Sequence, residues 1–470
     1  MKGFVYAEIM GSKKILVSKK TPLHELVADY QPNFKYPVLL AKVNNELCEL
    51  NRSLVVDSVV EFLDITDING FRAYQRSIVF LMLCAAKEVL GIKTRVVIKH
   101  SINKNYYVEV MGQHSKLTDT IISTIEKRMH QIAGKGYPIK KYSLDLQHCI
   151  ELCERFGLFD KLRILKYRRT RKVNFYRLSW FYNYFYGYLV HNTKALTDFK
   201  LSKQQNGFIL QFPDVDNPDK MTGLRPFKKI SQVFIESSKW AQILNVDTVG
   251  ALNDEICKGH LGDIIRISEA LHEKKMASIA DMALDKKCRA ILIAGPSSSG
   301  KTTFSNRLSA QLRVNGLKPH IISIDDYFKD QVKTPGELKD DFDFESIDAI
   351  DADKLNIDLI NLLDGATVNI PSFNFALGKR EDKGKYLKLG KNDILVVEGI
   401  HGLNAKIASS LNNNLKFKIF VSALTQINVD DHNRIPTTDT RLFRRIVRDY
   451  RFRRLNAAQT IRMWPSVAKG

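Results

Sequence analysis

Three groups of residues in this chain have the types and spacing to do chemistry together. The first is Gly295-Pro296-Ser297-Ser298-Ser299-Gly300-Lys301-Thr302, followed by Thr303. This is G-x-x-x-x-G-K-[ST], a phosphate-binding loop. Its glycines let the backbone curl so that successive N–H groups point at phosphate oxygens. Lys301 supplies a point charge for β- and γ-phosphates, and Thr302 a hydroxyl for Mg²⁺. The second group is Asp325-Asp326-Tyr327-Phe328, where a carboxylate could accept the proton of an attacking hydroxyl. The third is Glu398, which closes an apolar run and suits Mg²⁺ directly or through water. A strand-end Asp is as often a helix cap as a base. Lys/Thr, Asp and Glu offered to one edge by three strands point instead to phosphoryl transfer.

The elements that must position these groups are legible around them. Residues 290–294 are an apolar strand leading into the loop. Residues 302–315 form a helix with Phe304, Leu308 and Leu312 on its apolar side, and Asn315-Gly316 stops it. Such a helix aims its positive end at a bound anion. Residues 320–323, 394–397 and 416–421 are further strands. Strands alternating with helices give an α/β fold, a parallel sheet with helices on both faces. Ligands of such sheets bind outside the carboxyl ends of the strands. The densest basic stretch, residues 439–454, is a helix whose apolar stripe is Leu442, Ile446, Val447 and Tyr450. Its arginines are then expected on the other faces, where they reach phosphates. RNA or solvent are the alternative partners for those faces.

The 470 residues are enough for two or three domains, and 44% hydrophobic with 26% charged content is ordinary for a globular protein. The net charge of +21 is not ordinary and suits polyanionic partners such as nucleotides or RNA; a Lys-rich solvated surface accounts for it equally. Cys149 and Cys153 sit one helical turn apart beside His148, without a second Cys/His pair, which favours buried thiols over a metal site. Scattered, reduced cysteines suit a cytoplasmic setting. Glu8 interrupts any secretory segment, and the longest apolar run, residues 78–86, is too short to span a bilayer. No membrane partner is expected, and an oligomer is compatible with the composition.

Four regions follow from the pattern. Residues 1–64 read as strand, strand, helix, strand, a small β-grasp-like module whose helix starts at Thr21-Pro22. Residues 65–225 mix helices and strands, and include Lys166-Tyr167-Arg168-Arg169-Thr170-Arg171-Lys172 followed by aromatics from Phe175 to Tyr188. That interleaving could bind RNA by phosphate pairing and base stacking, or could be a charged loop before a core-facing strand pair. Residues 226–284 are a helical connector, and the phosphate-loop domain occupies residues 285–470.

Beyond the bare loop, residues 295–454 resemble the uridine kinase/phosphoribulokinase family of P-loop kinases. The resemblance rests on G-P-S-S-S-G-K-T-T, on S-I-D-D-Y-F (323–328), on D-F-E-S-I-D-A-I-D (343–351), on P-S-F-N-F (371–375), on V-V-E-G-I (396–400) and on D-T-R-L-F-R-R-I-V-R-D (439–449). It implies an ATP- and Mg²⁺-dependent kinase acting on the 5′-hydroxyl of a uridine- or cytidine-like nucleoside. Asp325 is then the base, Lys301 with Arg441 and Arg445 the charge-balancing catalytic groups, and Thr302 and Glu398 the metal partners. Phe328, Phe344, Glu345, Phe373, Phe375 and Arg441 would face the acceptor. Pyrimidine-specific members carry Tyr and His where this chain has Phe373 and Gly378, so the base is not fixed by the resemblance.

The front resembles the amino-terminal region of threonyl-tRNA synthetase, a TGS-like module and a second additional domain. Gln75 and Val79 stand where that family has two histidines, and Phe185 and Leu189 where it has a cysteine and a further histidine. The resemblance therefore implies a binding or regulatory unit without editing, with tRNA or other RNA as its partner. Kinases fused to such a front are expected to continue past Trp464-Pro465-Ser466-Val467, so the resemblance implies missing terminal elements. A nucleotide-responsive RNA-binding protein with weak or no kinase activity is the alternative function.

Overall fold

The computed structural model describes residues 3–112, 117–224, 228–330, 345–374, 377–423 and 427–469. The chain divides into two compact units, Met1–His260 with Ile427–Arg434, and Leu261–Gln426 with Ile435–Gly470. Among the described residues no helix is long and apolar enough to cross a membrane.

The first unit opens with a five-stranded sheet of β1 (Phe4–Ile9), β2 (Ile15–Ser18), β3 (Leu40–Val43), β4 (Glu46–Glu49) and β5 (Ser58–Leu63), ordered β2-β1-β5-β3-β4. Only β1 and β5 pair in parallel. α1 (Leu23–Tyr30) lays Leu23, Leu26 and Val27 on its apolar face. Thr21 does not cap it: Pro22 holds that position, in a short bridge to Ser53. The core of the unit is α2 (Ile68–Leu90), capped by the Asp67 carboxylate and buried over most of its length.

Around it run β6 (Arg95–Ile102), β7 (Asn105–Met111), α3 (Asp119–Gly134), β8 (Ile139–Asp145), α4 (Leu146–Phe156), α5 (Phe159–Leu165), β9 (Lys172–Leu178), β10 (Phe181–Asn183), β11 (Lys200–Gln204) and β12 (Gly207–Gln211). The sheets are β11-β12-β7-β6 and β10-β9-β8. Phe175, Tyr176, Phe181 and Phe185 are all buried in this core. Four of the aromatics behind the basic run are thus spent on packing, while Trp180, Tyr182, Tyr184 and Tyr188 are half-buried, Tyr186 is exposed, and the run itself stays at the surface. α6 (Lys228–Leu244) and α7 (Val249–Cys257) follow.

Residues 427–434 are tied into this unit by buried charge. Asn428 donates to the Ile98 carbonyl (2.7 Å), and Ile98 N donates to the Asp431 carbonyl (2.8 Å). The Lys161 ammonium pairs with Asp430 at 2.8 Å, both fully buried, and Arg95 pairs with Asp431 at 2.6 Å. Removing one member of a buried pair strands the other charge. Lys161→Met is therefore expected to destabilise this unit by about 3–5 kcal/mol, read as a lower urea midpoint.

The second unit contains α8 (Leu261–Asp285), β13 (Ala290–Ala294), α9 (Lys301–Val314), β14 (Lys318–Ser323), α10 (Ala352–Leu363), β15 (Val368–Asn374), β16 (Lys379–Leu387), β17 (Asp393–Glu398), β18 (Lys416–Phe420), α11 (Thr437–Arg453) and α12 (Ala457–Lys469). Its main sheet, β14-β17-β13-β18, is parallel throughout. Alternation sorts the buried strands onto two faces. Ile291, Ile293, Ile394 and Val396 meet Leu308 and Leu312 of α9 and Ala280 and Ala283 of α8. Ala290, Leu292, Leu395 and Val397 meet Leu355, Leu359 and Leu362 of α10. This is the α/β architecture of P-loop nucleotide-binding proteins, with helices on both faces.

Candidate active site

Register brings the sequence-predicted groups to one edge. Glu398 pairs with Ile293 on one side and Ser323 on the other, so β13, β17 and β14 end level. The phosphate loop leaves β13 and the Asp325 turn leaves β14 from that edge.

Gly295 is needed for space. A Cβ there would lie 2.0 Å from the Val421 carbonyl oxygen and 2.9 Å from the Ser299 hydroxyl. Gly300 is needed for conformation, at φ +99°. Ser298 shares the left-handed region at φ 64°, and Pro296 accepts the turn hydrogen bond from Ser299 N at 3.1 Å. Gly295→Ala must push the loop off its strand end. Overpacking of this kind costs about 1–3 kcal/mol, so ATP affinity should fall about ten- to hundredfold, measured by calorimetry.

Lys301 opens α9 and donates to the Gly295 carbonyl at 2.9 Å. Burial lowers its pKa, against the pull of Glu398, Asp325 and Glu345. Thr302 donates to a Glu398 oxygen at 3.0 Å, and Thr303 stands exposed beside it on the first turn. Glu398 is buried, and burial raises its pKa against the Thr302 hydrogen bond and the Lys301 charge. Burial also raises the Asp325 carboxyl, with Lys301 opposing and Asp326 adding like charge. Lys301, Asp325, Glu398 and Glu345 therefore lie within electrostatic reach of one another. The buried hydroxyls of Ser298 and Ser299 have no hydrogen-bond partner. Unpaired hydroxyls in a loop that opens a helix fit phosphate oxygens, and the paired Thr302 and Glu398 oxygens fit a hard cation.

α11 bears out only part of the expectation drawn from its apolar stripe. Of the predicted stripe, Leu442 and Ile446 are half-buried while Val447 and Tyr450 are 52% and 72% exposed; Arg441, Arg445 and Asp449 are buried. Arg441 and Arg445 turn inward because their partners are there. Arg441 donates to the Ser297 carbonyl (3.1 Å), Arg444 to the Ser298 carbonyl (2.9 Å) and Arg445 to the Ser297 hydroxyl (2.9 Å). Asp449 pairs with Arg445 (3.3 Å) and Arg448 (2.7 Å), and Trp464 of α12 lies under Arg441.

Sequence reasoning missed Arg444, Arg448 and Arg453. Arg448 acts on Lys301, and Arg453 on Asp325. The signal was available in arginines spaced three and four apart.

The acceptor-side residues are less gathered. Phe328 and Phe373 meet edge to face at 5.4 Å, and both are buried in the core under the sheet. Phe373 N donates to Asp326 at 3.2 Å, which ties that strand to the Asp325 turn. Glu345 is half-buried and acts on Arg441 and Arg445. Phe344 and Phe375 lie outside the described residues. In the first unit, Val79, Phe185 and Leu189 are buried apolar residues, and Gln75 donates to the Lys104 carbonyl at 3.2 Å.

A phosphate loop, a lysine, two convergent acids and an arginine helix define the second unit as a P-loop phosphotransferase. The profile of the phosphoribulokinase/uridine kinase family matches residues 290–461. A uridine kinase of Mycoplasma genitalium is 30% identical over 184 residues, 39% of this chain and 77% of that relative. A uridine kinase of Staphylococcus aureus is 29% identical over 177 residues, 38% of this chain and 76% of its own. A solved structure of a possible uridine kinase from Bacillus stearothermophilus aligns at 19% identity over 31% of this chain and 80% of its own, with a TM-score of 0.25, too slight to bear on the fold. The chain belongs to the phosphoribulokinase/uridine kinase family, through its carboxyl-terminal unit, and is a kinase.

Proposed function

We propose that the chain transfers the γ-phosphoryl group of ATP to the 5′-hydroxyl of a nucleoside, uridine- or cytidine-like. The observation behind this is the convergence of Lys301, Asp325 and Glu398 at one sheet edge, with Arg441 and Arg445 on the loop residue Ser297. Loop N–H groups with Ser297, Ser298, Ser299, Thr302 and Thr303 bind the phosphates, and Lys301 balances the charge of the β- and γ-oxygens. Asp325 orients the acceptor hydroxyl and takes its proton as that oxygen bonds the γ-phosphorus and the bond from the γ-phosphorus to the bridging oxygen breaks, releasing ADP. Arg441 and Arg445 stabilise charge on the transferring group. Thr302 and Glu398 would hold Mg²⁺, which supplies neutralisation of phosphate charge when bound. Glu345 and Arg441 border the acceptor side.

The four apolar or amide positions of the first unit leave no hydrolytic set, which supports a binding or regulatory role for a threonyl-tRNA synthetase-like front. RNA binding there has weaker support, because Phe175, Tyr176, Phe181 and Phe185 are packed in the core and only Tyr186 of the aromatics in that stretch is exposed. Screening uridine, cytidine, purine nucleosides and non-nucleoside alcohols with γ-labelled ATP tests the acceptor. A 5′-monophosphate of a pyrimidine nucleoside is the expected product. Label transferred only to a non-nucleoside alcohol would refute the nucleoside assignment and leave the kinase intact.

A further inference from the structure

The first unit holds a cluster of positive charge whose arginines make no ion pair with an acid among the described residues. The nearby Glu49 carboxylate is taken by Tyr176 and Leu189 N, and Asp430 by Asn433 and Lys161. Arg72 and Arg76 stand four residues apart on α2, on one face of that helix. Arg434 ends the 427–434 segment, and Tyr106 comes from β7. The Arg76 guanidinium lies flat on Gly187, where a Cβ would come within 2.6 Å of its Cζ, and it donates to the Tyr188 carbonyl at 2.9 Å. Gly187 is at φ +111°, so a side chain is excluded there twice over.

Arg434 is half-buried. Its Nε is closed off from solvent and has no hydrogen-bond partner. The residue before it is firmly held: Asn433 donates to the Tyr184 carbonyl (3.1 Å) and to Asp430 (2.9 and 2.8 Å), and accepts from Tyr186 N (3.3 Å). Arg72 is exposed and gives the cluster an open side.

The electrostatics agree with the geometry. Burial raises the Tyr106 hydroxyl pKa, and Arg434, Arg76 and Arg72 all oppose that rise. Burial lowers both Arg76 and Arg434, and no carboxylate among the described residues offsets it. Burial likewise pushes His100 on β6 down to about 3, with Arg434 and Lys99 adding to the effect. Native interiors pair their buried charges. A desolvated guanidinium with no carboxylate paired to it is matched best by a ligand oxyanion, which its planar donors grip in pairs.

We propose that Arg72, Arg76, Arg434 and Tyr106 form a second anion site, which binds a small ligand through its phosphate or carboxylate group. The site is independent of the phosphate loop. Two residues beyond Arg434 the chain reaches Pro436, the cap of α11.

Calorimetric titration of the full chain with inorganic phosphate, and separately with acetate, tests this at constant ionic strength in chloride. The background is Lys301→Met, which weakens the phosphate loop. One saturable anion site should remain in that background. Adding Arg434→Met, or the surface change Arg72→Met, should weaken it about tenfold or more. Gly187→Ala, which displaces Arg76, should do the same. Tighter phosphate than acetate identifies a phosphorylated ligand, and the reverse a carboxylate. The proposal fails if neither anion saturates a site in the Lys301→Met chain. It also fails if folded Arg72→Met and Arg434→Met chains titrate as their parent does.

Discussion

Asp325→Asn should lower kcat by about 10²- to 10⁴-fold while ATP affinity stays close to that of the parent. The amide keeps the shape of the turn after β14 and loses only the ability to take a proton. Burial raises the Asp325 pKa, so the ionised, competent form exists only above that raised value. Activity is therefore lost as pH falls through it, and the acid limb of the kcat profile should lie above the ordinary aspartate value of about 3.9. In Asp325→Asn that limb should disappear from the residual rate.

The same shift has a stability consequence of fixed sign. A carboxyl whose folded pKa is raised favours the folded state when protonated, and that contribution is lost as pH rises through the folded value. At neutral pH the buried carboxylate is thus a cost, which the amide removes. Asp325→Asn should unfold at higher urea than the parent at pH 7, and the gap should close toward acid pH. A variant both dead and more stable is the signature of a site built for reaction.

Arg445→Met should lower kcat by about 10²- to 10³-fold, with a smaller change in KM for ATP. Arg445 is buried between the Ser297 hydroxyl and the Asp449 carboxylate. That placement fixes a planar donor beside the loop before any charge develops on a transferring group. Arg445→Lys should recover little, since an ammonium cannot serve both partners as a fork does. Arg444→Met is the matched control: Arg444 is exposed and bonds only a backbone carbonyl, so its loss should cost far less. Single-turnover rates at saturating ATP separate the two. Equal losses in Arg444→Met and Arg445→Met would mean that α11 acts only by holding the loop.

Much of the kinase unit was legible because its signals are local. The apolar run 290–294, the glycine-framed loop and the Asn315-Gly316 stop each have one good structural solution, and the structure has β13, the loop and α9 there. The parallel sheet followed from strands alternating with helices. What escaped depends on partners distant in sequence. β16 (Lys379–Leu387) is almost all charged and polar and becomes a strand only by pairing with β15. β12 (Gly207–Gln211) is a short, wholly buried apolar run, which periodicity cannot tell from a helix fragment.

α11 misled for an instructive reason. Its apolar stripe is buried only in part, at Leu442 and Ile446, because loop groups and Asp449 satisfy Arg441 and Arg445 and draw that side inward, leaving Val447 and Tyr450 exposed. The Arg434 cluster was invisible for the same cause. Arg72 and Arg76 could be placed on one helix face from the sequence, but their neighbour arrives from more than three hundred residues downstream.

The most direct test of the central claim is a single-turnover assay with γ-labelled ATP and a pyrimidine nucleoside, comparing the parent chain with Asp325→Asn. The parent should move the label to the 5′-oxygen, and the variant should bind ATP equally but transfer it at least a hundredfold more slowly. Transfer at the parental rate by Asp325→Asn would show that the β14 carboxylate is not the proton acceptor and that the proposed site does another job.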